Sequence, residues 1–124
     1  MGWFDRLRGA RSLPVEQIPA ELDILVLDRL SVHTAEELVA LTIGAGDVGR
    51  LRGLLERGRP FALRGSAATV IFLPVSRAQS PAFDPKVGWV VPLTGELTAA
   101  ILGQLGAQPG GYEIAGGALG FIVE

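Results

Sequence analysis

A chain of 124 residues with a net charge of −2 has room for one core, enough to bury roughly two-thirds of the surface its unfolded form exposes, and needs neither disulfide nor metal to fold. It contains no cysteine, which excludes thiol catalysis, thiolate metal centres and a disulfide framework; ten arginines and the single Lys86, outweighed by 13 acids, leave no overall field to attract nucleic acid. Charged residues are 19% of the chain, against about 25% in ordinary soluble domains, and an apolar surplus of this kind predicts a subunit or partner interface.

The first residues, MGWFDRLRGARSLP, carry Asp5, Arg6, Arg8 and Arg11 where a secretory segment needs an unbroken apolar run, so the expected compartment is the cytoplasm. Residues 3–9 fit a short amphipathic helix with Trp3, Phe4 and Leu7 on one side. Seven residues are too few to hold a membrane surface, so docking on the domain or fraying is expected of residues 3–8. A connector with two prolines, 12–19, follows. From Ala20 to Leu30, Leu22, Leu25, Val26 and Leu30 recur at helical spacing and Ile24 and Leu27 widen the stripe, which predicts a core helix. Thr34 with Glu37 three residues on reads as a capping box and predicts a second helix from Ala35 to about Leu41. Asp47 stands as the N-cap of a third, with Val48, Leu51, Leu54 and Leu55 on one face and Gly58 as its terminator. Its interior glycines, Gly49 and Gly53, each cost about 1 kcal/mol against alanine and predict a flat face for a close neighbour.

After Pro60 the period changes. FALRGSAATVIFLPV, 61–75, reads as two strands about Gly65-Ser66, the second apolar throughout and suited to a central position. Residues 76–87 form a loop, and GWVVPL, 88–93, a strand whose Pro92 suits an edge or an end. Thr94 caps a helix bearing Leu97, Ile101, Leu102 and Leu105 and ending at Gly106. YEIA and ALGFIV around Gly116-Gly117 read as a hairpin. The expected fold class is therefore α+β: a single domain over 1–124 with an arm and connector at 1–19, a helical part at 20–58, and a strand-rich part at 60–124, the helical half packed on a small, mostly antiparallel sheet with one crossing helix.

Catalytic chemistry finds little support. The one histidine, His33, directly precedes the Thr34 cap, where a polar side chain completes a helix start. Ser66, Ser76 and Ser80 lie in turns without the glycine pattern that exposes a nucleophile, and Glu36 and Glu37 are adjacent, so on a helix they point apart. No cofactor, metal or small-molecule substrate is inferred.

The nearest approach to a motif is TIGAGDVGRLRGLLERGR, 42–59. A P-loop needs lysine and a hydroxyl after its last glycine, but Gly49 is followed by Arg50-Leu51. GAGDVG, 44–49, has dinucleotide-fingerprint spacing without the preceding strand and βαβ context. Residues 30–55, LSVHTAEELVALTIGAGDVGRLRGLL, resemble a helix-hairpin-helix unit of the kind found in many DNA-binding proteins, though Ala45, Arg50 and Gly53 depart from its pattern. The resemblance implies that Gly44 and Gly46 are hairpin glycines presenting backbone N–H groups to a DNA phosphate. Arg50 and Arg52, with Arg57, Arg59 and Arg64, add positive charge beside them; the alternative is the solvated face of an amphipathic helix.

These observations lead to a non-enzymatic interaction or adaptor module whose partner is another protein or a second copy, giving a homo-oligomer. Nucleic-acid binding at Gly44, Gly46, Arg50 and Arg52 is the alternative. The preference for arginine over lysine suggests a bacterial source. The partner surface is expected on the last strand, where Leu119, Phe121 and Val123 point one way at a sheet edge that little charge guards.

Overall fold

Residues 20–43, expected to form two helices, instead provide three strands of two mixed sheets. The computed structural model describes residues 18–35, 38–114 and 118–124. The expected 3–9 helix, most of the 12–19 connector, Glu36, Glu37 and the Gly116-Gly117 turn lie outside the described residues.

The strands are β1 (Asp23–Val26), β2 (Leu30–Ala35), β3 (Leu38–Ile43), β4 (Phe61–Arg64), β5 (Thr69–Pro74), β6 (Ala82–Asp84), β7 (Gly88–Leu93), β8 (Gly110–Glu113) and β9 (Leu119–Val123). The helices are α1 (Val48–Arg57), preceded by a 3-10 turn at Ala45–Asp47, and α2 (Gly95–Gln104). One sheet has the order β1-β4-β5-β7-β6 and the other β2-β3-β9-β8. β1–β4, β5–β7 and β3–β9 are parallel; the remaining pairs are antiparallel.

The correction from helix to strand has a physical cause. Ile24 and Val26 are exposed while Leu25 packs against the core, so β1 carries apolar residues on both faces. Its period of two is hidden, and the same letters satisfy a wide helical stripe. In β2 Leu30 and Val32, two apart, pack with the core, while burial falls off along the strand so that His33, Thr34 and Ala35 are exposed. Thr34 sits opposite Val39 in the β2–β3 ladder and begins no helix. Val39, Leu41 and Ile43 then meet Leu119, Phe121 and Val123 of β9 in parallel register.

Beyond Asp47 the local signals hold. α1 buries Val48, Leu51 and Leu55 and stops at Gly58, where φ is +70°; a residue with a Cβ resists that left-handed conformation. Asp47 occupies the N-cap position but makes no side-chain cap bond; its carboxylate pairs with Arg50. Thr94 does cap α2, its hydroxyl accepting from the Leu97 amide at 3.1 Å. β5 is central and apolar on both faces. β6 interrupts the expected 76–87 loop and pairs only with residues 88–90 of β7. Pro92 therefore lies past the end of β6, where its missing N–H breaks no bond to that strand. The flat face expected at Gly49 and Gly53 has no close neighbour among the described residues: a Cβ at either would meet none of their atoms within 4 Å.

One core joins the sheets. Phe61 stacks on Phe72 with ring centroids 4.9 Å apart, and Leu41, Ile43 and Phe121 of the second sheet belong to the same cluster, with Leu51 and Leu55 of α1 and Ile101 of α2.

Candidate interaction surface

β1 is an edge strand whose other side faces no strand among the described residues. Its parallel pairing with β4 runs Asp23↔Phe61 to Val26↔Arg64. Alternation then places Ile24 and Val26 on the face of the sheet away from the core, where they are 45% and 64% exposed. Two β-branched side chains two residues apart lie about 7 Å from one another along such a strand. Asp23, at the strand's start, lies 3.4 Å from both the Arg57 and the Arg59 guanidinium, so its charge is opposed locally.

Other exposed apolar groups lack this combination. Phe83 is half exposed but rests edge-on against Trp89, with centroids 5.4 Å apart. Ile122 belongs to β9, which is paired on both sides. β2, the edge of the second sheet, turns Ser31 and His33 outward; His33 Nε2 and Ser31 Oγ are 3.3 Å apart and exposed.

The residues expected to bind a partner are elsewhere. Leu119, Phe121 and Val123 are 1%, 1% and 2% exposed, and β9 lies between β3 and β8. The terminal strand is thus interior, and its apolar side chains are enclosed by the chain itself. A terminal strand has no intrinsic bias to the edge when an earlier strand, here β3, can pair with it.

The arginine-rich turn is likewise distributed among structural partners. A β hairpin occupies the place of the first helix of a helix-hairpin-helix unit. Gly44 and Gly46 precede α1, with the Gly44 carbonyl accepting from the Asp47 amide at 3.0 Å. Arg50 pairs with Asp47. Arg52 reaches α2, donating from Nη1 to the carbonyls of Leu102 and Leu105 at 2.6 and 2.9 Å. Among the described residues no three His, Asp or Glu side chains are grouped to hold a metal, and no helix is long and apolar enough to cross a membrane.

No protein-family model matches the chain, and no curated protein does. The fold is similar to part of Drosophila Suppressor of Fused. The crystal structure of that protein superposes with a TM-score of 0.54 at 14% identity, covering 91% of this chain and 32% of that one. The chain thus spans about a third of its length, and likeness at this identity concerns the fold alone.

Sequence reasoning missed Ile24 and Val26 as surface residues because it placed both on a buried helical stripe. The signal was present in their β-branching and i, i+2 spacing, which favour a strand.

Proposed function

We propose that this chain is a non-enzymatic protein-interaction module of the cytoplasm, and that it receives an extended strand of another polypeptide along the free edge of β1. The observation that carries the reading is the exposure of Ile24 and Val26 on a strand that has a neighbour on one side alone among the described residues. An edge strand offers unpaired N–H and C=O groups to an incoming strand, and natural edges are normally guarded by lysine, proline, a bulge or great shortness. β1 has neither lysine nor proline, and its outward side chains supply the apolar contacts that set register when a strand is added. Nucleic-acid binding draws less support, since Arg50, Arg52, Arg57 and Arg59 all take partners within the chain.

The test compares the unmodified protein with Ile24→Lys/Val26→Lys, which places two charges on exposed positions. Both proteins should melt alike. A stoichiometric partner in native lysate, or a dimer seen by light scattering, should be present with the first and lost with the second. Equal capture or equal mass for the two would overturn the reading.

A further inference from the structure

The second sheet, β2-β3-β9-β8, gives one face to the core and turns the other away from it. Leu41 and Phe121, register partners at its centre, belong to the core, so strand alternation points the adjoining row, His33, Ala40, Gly120 and Glu113, outward. On the other side of Leu41 and Phe121 the pair Thr42 and Ile122 shares this outer face. Ile122 is 37% exposed, and His33 and Glu113 are exposed as well. We propose that this face pairs with the same face of a second copy of the chain, about a two-fold axis that runs close to the strand direction between Ala40 and Gly120.

Charge and symmetry select this occupant. His33 and Glu113 stand at opposite edges of one row, about 14 Å apart at the usual spacing of strands. A two-fold axis along the strands exchanges the two edges, so each His33 meets Glu113 of the other copy and the contact is made twice. An imidazole N–H donates to a carboxylate whether the ring is neutral or protonated. The same operation sets each Ile122 over Thr42 of the other copy. Between the edges the row holds Ala40 and Gly120, uncharged and nearly without side chain, so nothing there keeps the sheets beyond the ~10 Å separation of ordinary face-to-face packing. The footprint, about 14 Å by about 17 Å, is small beside the about 800 Å² per partner of a stable interface. Pairing is therefore weak and is lost on dilution, so dilute Ile24→Lys/Val26→Lys protein reads strand addition at β1 separately from this face.

Sedimentation velocity of the full chain over a concentration series should show monomer and dimer in equilibrium. Ile122→Lys should be monomeric at every concentration while melting like the unmodified protein. Glu113→Lys and His33→Glu should each raise the dimer dissociation constant about tenfold, because each altered contact occurs twice. The double variant His33→Glu/Glu113→Lys restores opposite charges across the axis and should return the constant close to its original value, a readout independent of Ile122. A swap that fails to restore association in a protein with unchanged melting would overturn the proposal. So would an unmodified chain that is monomeric throughout, or a dimer that persists in Ile122→Lys. A dimer lost instead in Ile24→Lys/Val26→Lys would also overturn it, by placing the contact at β1.

Discussion

The guanidinium of Arg52, on α1, donates to the carbonyl oxygen of Leu105 at the end of α2, 2.9 Å away, and the same nitrogen donates to Leu102 at 2.6 Å. The last carbonyls of a helix have no partner within it and carry the negative end of its dipole. One side chain therefore closes α2 and fastens the two helices together.

Removing that charge should be costly. Arg52→Met keeps the aliphatic stem and loses the donors, and should destabilise the fold by about 1.5–3 kcal/mol, the range for hydrogen bonds to a charged group. Arg50→Met, which loses an ion pair with an arginine 61% exposed, should change stability by less than about 0.5 kcal/mol. Urea denaturation of the two variants measures both; equal effects would remove the distinction between a capping arginine and a solvated one.

Glycines of similar appearance in the sequence should respond in opposite directions. Gly49 and Gly53 lie in α1 with open space around an added Cβ, so Gly49→Ala and Gly53→Ala should each stabilise by up to about 1 kcal/mol. At Gly88, φ is +100° and a Cβ would lie 2.6 Å from the Thr69 carbonyl oxygen. Gly88→Ala should lose at least about 1–3 kcal/mol from backbone strain alone, with the contact to the adjacent strand adding to it. Thermal melting of the three variants gives the signs directly.

Phe121→Lys should unfold the protein rather than free a surface. The ring is 1% exposed in a strand paired on both sides, and an unpaired charge there has neither water nor counter-ion. The milder Phe121→Ala should cost about 3–5 kcal/mol. Circular dichroism and a denaturant titration report the outcome; a folded Phe121→Lys monomer would contradict the placement of β9 in the interior.

Several elements were legible in the sequence because their determinants are local. A turn that needs positive φ ends α1 at Gly58, a hydroxyl three residues from an amide starts α2 at Thr94, and an unbroken apolar run makes β5 a central strand. Tertiary structure decided the state of residues 20–43 and the position of β9. Ile24, Leu25 and Val26 put apolar side chains on both strand faces and so satisfy helical and extended periods together; pairing of Asp23–Val26 with β4 selects the strand. The Thr34 signature was overridden by its ladder with β3. β9 became interior because β3, far away along the chain, pairs with it in parallel, a contact that no short window of sequence records. The same pairing encloses Phe121, whereas Ile24 and Val26 are exposed on β1, an edge strand among the described residues.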